Sequence, residues 1–225
     1  MQPFGEKMEI WKDLSKSKLF NGLDEASIKA LNFCFKSRLK FVNKNEIIVS
    51  AGEKNEYCVY ILKGSAKGVL YDEKGTESIL EEYKTGDIYG LTEAYAKCEE
   101  YTNTLVAKEK STIILFNRYR FIHPCENRCP RHTILVKHLS QILAQNNINL
   151  YNKISILSKR TIRDKILAYL NLININNEPY FDIPLNRQEL ANFLAVDRSA
   201  LSKELSNLKQ EGIIDFNKNH FSIKK

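Results

Sequence analysis

The chain has 225 residues and a formal net charge of +7, a value that permits nucleic-acid binding without indicating it. Hydrophobic residues make up 43% and charged residues 27%, which allows a buried core and excludes a chain disordered throughout. No apolar run approaches the roughly 18 residues of a membrane span, and the amino end has no secretion-signal pattern. We therefore expect a cytoplasmic protein with no membrane partner, whose five widely spaced cysteines are reduced.

An all-β domain is predicted near the start of the chain. Asp24 can cap a short helix, and residues 39–118 then contain short runs rich in β-branched and aromatic residues. Glycine-containing turns separate these runs at intervals of roughly 11 or 12 residues. This spacing is typical of an antiparallel sandwich or jelly roll, and the alternating pattern of βαβ units is absent from the sequence.

A long helix is predicted for residues 131–157, which contain no proline or glycine. Such a helix extends about 40 Å, more than one small domain covers, so we expect it to pair with its own copy in a homodimer. An alternative is that the helix lies against its own β-domain, because surface helices have the same apolar spacing. The predicted dimer stripe, in which Asn146 would set the register, consists of Val136, Leu139, Leu143, Asn146, Leu150, Lys153 and Leu157.

A helix-turn-helix is predicted in residues 186–210. Asn186 followed by Glu189 is the pattern of a capping box, and Asp197 can cap a second helix after a turn of only three residues. The hairpin pattern in residues 212–223 predicts a wing. In such a motif the second helix enters the major groove of DNA with its amino-terminal side chains at the base edges.

The residue types at the two helix starts suit contacts with double-stranded DNA. Arg198 can donate two hydrogen bonds to guanine, Lys203 supplies a point charge, and Ser199 can meet a donor or an acceptor. The backbone N–H groups at the start of the first helix, with Arg187 and Gln188, suit contacts with DNA phosphates. An alternative is a helical hairpin whose charges merely face water. The predicted DNA contacts are Asn186, Arg187, Gln188, Arg198, Ser199, Ser202 and Lys203.

These features together resemble the Crp/Fnr (catabolite activator/fumarate-nitrate regulator) superfamily of bacterial transcription regulators. The resemblance covers nearly the whole chain and rests on five segments: Ala51-Gly52-Glu53, Tyr60-Ile61-Leu62-Lys63-Gly64, Gly86-Asp87-Ile88-Tyr89-Gly90, Asn186-Arg187-Gln188-Glu189-Leu190-Ala191 and Val196-Asp197-Arg198-Ser199-Ala200-Leu201.

The resemblance implies an α+β chain with three parts. These are a cyclic-nucleotide-binding-type antiparallel β-roll (jelly roll) in residues 1–129, a dimerisation helix in residues 130–157 and a winged helix-turn-helix in residues 158–225. It further implies a homodimer on a near-palindromic operator, contact with RNA polymerase and control by a small-molecule effector.

The resemblance also indicates an effector other than cyclic AMP. Family members that bind cyclic AMP hold the ribose with a glutamate, where this chain has Leu91, and the phosphate with an arginine-serine pair, where it has Tyr101-Thr102. Losing the arginine removes a contact worth roughly 1.5–3 kcal/mol, and Glu93 nearby would repel a phosphate. A pocket for a neutral or aromatic ligand is possible instead, and the alternative is that its candidate residues form the core of the roll. The candidates are Tyr89, Gly90, Leu91, Tyr95, Tyr101 and Thr102.

Two other hypotheses remain open at this point, and a third is excluded. A redox or metal input would use thiol and imidazole groups before the long helix, although we predict ordinary cysteines and no metal or cofactor. An effector-binding module without DNA binding would leave residues 186–223 unexplained. An enzyme is excluded because no histidine lies in the predicted β region and no nucleophile motif is present. The candidate metal or redox residues are His123, Cys125, Cys129 and His132.

Overall fold

The structure is a computed structural model and describes residues 8–75, 77–123 and 129–224. The chain separates into two compact units, Met1–Ala144 and Gln145–Lys225, which are described in turn. In the described part of the chain, no helix is both long and apolar enough to cross a membrane.

The first unit is an antiparallel β-roll with short helices. Its two four-stranded sheets have the strand orders β1-β8-β3-β6 and β2-β7-β4-β5, and all pairings are antiparallel, which confirms the predicted jelly roll. The elements are α1 (Met8–Ser15), α2 (Glu25–Cys34), β1 (Arg38–Val42), β2 (Ile47–Val49), β3 (Tyr57–Lys63), β4 (Ser65–Tyr71), β5 (Glu77–Lys84), β6 (Ile88–Tyr89), α3 (Leu91–Tyr95), β7 (Thr104–Ala107), β8 (Ser111–Asn117), α4 (Arg118–Ile122) and the beginning of α5 (Pro130–Leu157).

Strand β3 divides the core of the first unit into two layers. Successive side chains of a strand point to opposite faces. Cys58, Tyr60 and Leu62 accordingly pack with the helices, whereas Val59 and Ile61 fill the roll interior. A strand buried on both faces has no polar alternation, which explains the continuous apolar run of its sequence.

The second unit contains the remainder of α5 and a small winged domain. Its three-stranded antiparallel sheet has the order β10-β11-β9. The α+β class and the order of roll, long helix and helix-turn-helix are therefore confirmed. The elements after α5 are α6 (Ile162–Ile173), β9 (Phe181–Asp182), α7 (Arg187–Leu194), α8 (Arg198–Gln210), β10 (Ile214–Asn217) and β11 (His220–Ile223).

The predicted dimer stripe on α5 does not face one partner along its length. Leu139 is completely buried in the core of the first unit, and half-buried Leu143 packs against the same core. Val136 and Asn146 are half-buried, whereas Leu150 is 59% exposed. The prediction is therefore wrong for Leu139, which packs against its own β-domain, as the alternative had it. The sequence could not distinguish the two cases, because a dimer contact and a contact within the chain both repeat every three or four residues.

Candidate nucleic-acid interface

Helix α7 begins with the predicted capping box. The side-chain oxygen of Asn186 accepts hydrogen bonds from the backbone N–H groups of Gln188 and Glu189, at 2.9 and 3.0 Å. In return, the carboxylate of Glu189 accepts a hydrogen bond from the backbone N–H of Asn186 at 2.8 Å. These reciprocal bonds satisfy donors that a helix start otherwise leaves unpaired, so the helix begins at residue 187.

The turn between α7 and α8 has the tight geometry that the sequence predicts. Ala195 is left-handed with φ +50°, and Val196 N–H returns to the Ala191 carbonyl at 3.0 Å. Asp197 then caps α8 by accepting hydrogen bonds from Ser199 and Ala200, and these bonds lower the pKa of Asp197. Buried leucines hold the two helices together: Leu190, Leu194, Leu201, Leu205 and Leu208.

Four predicted base contacts share the exposed beginning of α8. Arg198, Ser199, Ser202 and Lys203 are all exposed, while Leu201 between them points into the core. The Ser199 hydroxyl donates its hydrogen to the Asp197 carboxylate, which leaves the oxygen lone pairs of Ser199 available as acceptors. The structure thus brings together a guanidinium, an ammonium and two hydroxyl groups on one solvent-facing patch.

Arg187 has a different environment from the one predicted. Its guanidinium lies 4.8 Å from the ring centre of Phe216 and 5.1 Å from that of Phe221, both in the wing. Its Nη2 donates to the backbone carbonyl of Lys218 at 2.8 Å, and burial lowers the pKa of Arg187. A group stacked on two rings is not extended toward a phosphate, so we correct the expectation: Arg187 holds the wing against α7.

Lys218 is a further basic residue close to the start of α7, where its backbone carbonyl accepts the bond from Arg187, and it is not among the predicted DNA contacts. It is exposed at the tip of the wing, where its φ of +53° belongs to the turn between β10 and β11. A lysine between two asparagines in a hairpin turn was the available signal. Gln188 at the start of α7 is also exposed, and its amide donates to the Asn192 side chain at 3.0 Å.

Replacing Arg187 with alanine is expected to loosen the wing. Removing a cation stacked on two aromatic rings costs roughly 1–2 kcal/mol, and trypsin should then cut faster after Lys218. Cleavage followed by mass spectrometry measures this, with Arg160→Ala as the control at an exposed arginine of the same unit. Unchanged cleavage together with a uniform loss of DNA affinity would show that Arg187 contacts a phosphate instead.

The six effector-pocket candidates do not line one pocket. Tyr89 and Tyr101 pack in the roll interior with ring centres 5.7 Å apart, whereas Leu91 and Tyr95 belong to the helix-facing core. Gly90, at φ +80°, turns the chain between the two layers. The expectation of a common pocket is therefore wrong: Tyr89 and Tyr101 have the alternative role of roll core, and Leu91 and Tyr95 pack in the helix-facing core.

Tyr101 and Thr102 replace the arginine-serine pair with groups that are already paired. The Tyr101 hydroxyl donates to the Tyr57 carbonyl at 2.8 Å and accepts from the Tyr57 N–H at 3.1 Å. Burial raises the pKa of Tyr101 to about 12, so the phenol is neutral. Thr102 is exposed, and its hydroxyl donates to the Glu93 carboxylate at 2.7 Å.

The candidate metal or redox residues are only partly in the described ranges, which exclude Cys125. His132 is buried, its Nε2 bonds to the Phe121 carbonyl at 3.1 Å, and burial lowers its pKa. His123 stacks on Tyr119. A hydrogen bond from the His132 backbone N–H lowers the pKa of Cys129. No group of three or more potential ligands occurs among the described residues.

Two family models match the chain in the order of the observed units. Residues 39–128 match the cyclic nucleotide-binding domain, and residues 164–225 match the Crp-like helix-turn-helix domain. Over 184 residues the chain is 25% identical to the cAMP-activated global transcriptional regulator CRP of Pasteurella multocida (strain Pm70), covering 78% of this chain and 84% of that protein. The chain belongs to the Crp/Fnr superfamily.

Solved structures show the same Crp/Fnr fold. A CooA mutant from Carboxydothermus hydrogenoformans has a TM-score of 0.64 at 16% identity, over 95% of this chain and 90% of the other. The c-di-GMP responsive global regulator CLP from Xanthomonas campestris has a TM-score of 0.62 at 15% identity, and the match covers 90% of this chain and 100% of that one. As a Crp/Fnr member, the chain is a transcription regulator with a DNA-binding helix-turn-helix and is not an enzyme.

Proposed function

We propose that the protein is a cytoplasmic, homodimeric regulator that binds a near-palindromic operator and contacts RNA polymerase. Its two α8 helices would enter successive major grooves roughly 34 Å apart. The observation that carries this proposal is the exposed amino-terminal patch of α8, where the Asp197 cap leaves Arg198, Ser199, Ser202 and Lys203 facing solvent.

The proposed dimer contact is the middle and end of α5. Residues 139–152 contain no charged side chain, which is unusual for a helix surface that stays in water. Large apolar side chains here are more than half exposed, and a second copy of the same helix would cover them. We call this set the α5 patch; its members are Ile148, Leu150, Tyr151 and Ile154.

The patch on α8 supports a specific kind of base readout. Arg198 can donate two hydrogen bonds to guanine O6 and N7 in the major groove. Ser199 gives its own hydrogen to Asp197, so it would accept from the amino group of cytosine or adenine. Cyclic-AMP-type members use a glutamate at the Ser199 position, so we expect a different half-site for this regulator.

Replacing Arg198 with alanine is expected to weaken operator binding by roughly 1–3 kcal/mol and to relax the preference at one base pair. The operator is first obtained by sequencing bound genomic fragments, and affinity is then measured by fluorescence anisotropy at fixed salt. Arg198→Lys keeps the charge but loses the two-pronged donor, so it should retain affinity for random DNA and still lose the preference. An equal loss on operator and random DNA would identify Arg198 as a phosphate contact.

An effector other than cyclic AMP also belongs to this proposal. Leu91, at the ribose position, is buried in the helix-facing core, and Tyr101, at the phosphate position, is bonded to Tyr57. Neither side chain supplies a charge-assisted contact for a cyclic phosphate. A redox input has one supporting observation, the lowered pKa of Cys129.

A further inference from the structure

The first unit holds a buried carboxylate that forms no ion pair with any described residue. Glu93 in α3 is only 8% exposed, and across residues 8–75, 77–123 and 129–224 no lysine, arginine or histidine forms an ion pair with it. The carboxylate accepts a hydrogen bond from the Thr102 hydroxyl, which is an uncharged donor. Burying a carboxylate is unfavourable unless it is paired, so this position is suited to a positively charged partner.

A second acceptor beside it has no partner. The side-chain nitrogen of Asn103 donates to the Thr102 hydroxyl oxygen at 3.2 Å, which links Asn103 to Glu93 through Thr102. The other end of the same amide, Oδ1 of Asn103, is buried and unbonded in the described structure. A buried acceptor without a donor is an unfavourable arrangement that a bound N–H group would relieve.

Aromatic side chains lie next to these acceptors. The Tyr89 hydroxyl donates to the Asn103 backbone carbonyl at 2.5 Å, and Tyr83 packs edge-to-face on Tyr89 with ring centres 5.5 Å apart. A Cβ atom at Gly68 would lie 2.8 Å from Asn103 Oδ1 and 3.4 Å from the Tyr83 ring, so the amide oxygen and this ring share one neighbourhood. Aromatic faces attract organic cations.

Strand β5 provides a route of access. Tyr83 is half-buried and is carried by β5, which is an edge strand paired only with β4. An edge strand can move without breaking a central ladder, so the Tyr83 ring can be displaced at a lower free-energy cost than a ring on β3.

We propose that the neighbourhood of Glu93, Asn103, Tyr83 and Tyr89 binds a small organic cation with N–H donors, either an ammonium or a guanidinium compound. The carboxylate would take the charge, Asn103 Oδ1 would accept a hydrogen bond, and the tyrosine rings would cover the hydrocarbon part. This inference rests on the proposed control of the regulator by an effector, and it names the chemical class of that effector.

The test is a titration of the full-length protein without DNA, by calorimetry and tyrosine fluorescence. The probes are ethylammonium and agmatine, with tetramethylammonium as a cation that lacks N–H donors and cyclic AMP as an anion. We expect saturable binding of the first two, with affinities in the millimolar range because the probes are so small, and weaker binding of the other two. Glu93→Gln should weaken agmatine binding roughly 10- to 100-fold.

Two further variants keep the test decisive. Glu99→Gln makes the same change at an exposed carboxylate of the same segment and should bind agmatine like the wild type. Thr102→Lys, at an exposed position beside Glu93, brings a tethered ammonium and should exclude the probe even if Glu93→Gln fails to fold. Equal agmatine affinity in Thr102→Lys and the wild type, or no saturation by either N–H cation, would overturn the proposal.

The outcome is independent of the test of DNA binding. Operator affinity is measured separately on the wild-type protein, so a protein that binds its operator but no cation loses only this inference. A protein that binds the cation but no DNA would refute the proposed function while leaving the site in place.

Discussion

The double variant Leu150→Asp/Ile154→Asp is expected to sediment as a monomer and to lose roughly 100-fold or more in operator affinity. Both side chains are largely exposed, at 59% and 64%, so charges placed there do not disturb the fold of the single chain. In a two-fold dimer they would face the partner's copies, where like charges repel and burial of a carboxylate is unfavourable. A monomer reads one half-site only, which forfeits the 10²–10⁴-fold gain that linked binding modules typically provide.

Analytical ultracentrifugation and anisotropy on one operator measure the two effects. The control is Leu150→Met/Ile154→Met, which keeps the apolar surface and should remain dimeric with nearly unchanged affinity. A dimer that survives both aspartates would show that the α5 patch is not the interface.

Leu139→Ala is expected to lower the free energy of unfolding of the first unit by about 2–5 kcal/mol while the protein stays dimeric. The side chain is completely buried, so its removal leaves a cavity in the helix-facing core. Trp11, the single tryptophan of the chain, is buried in the same core. Its fluorescence during urea titration therefore reports on this unit.

The matched control lies on the same helix. Leu150→Ala removes the same atoms from an exposed position, so it should leave the urea midpoint of Trp11 nearly unchanged and weaken the dimer instead. If Leu139→Ala instead gave a monomer with an unchanged urea midpoint, the original expectation that Leu139 contacts a second copy would be restored.

The helix-turn-helix could be predicted almost completely, because its signals are local. The Asn186–Glu189 capping box, the Asp197 cap and the three-residue turn act within one helical turn of the residues that they organise. The role of Arg187 could not be predicted in the same way. Its partners, Phe216 and Phe221, lie about thirty residues later, and only the folded hairpin brings them to the guanidinium.

In the effector region, too, contacts between residues distant in sequence could not be predicted. Aromatic residues near Gly90 were expected to share a pocket, yet the left-handed turn at that glycine sends Tyr89 and Leu91 into different layers of the core. Charge was more informative than aromatic content. The absence of an arginine next to Thr102 is visible in the sequence, whereas the burial of Glu93 and the unbonded oxygen of Asn103 are properties of the fold.

By itself, the amino-acid sequence determined the order of roll, helix and winged domain, the ends of α7 and α8, and the exposed side chains at the start of α8. Helix caps, turn chemistry and strand periodicity depend on neighbours in the chain, so they can be inferred from it. Only the tertiary structure decided which half of α5 packs on the roll, that Arg187 stacks on the wing, and that Glu93 is buried and forms no ion pair with the described residues. Those outcomes depend on contacts between residues distant in sequence, and such contacts leave no periodic signal.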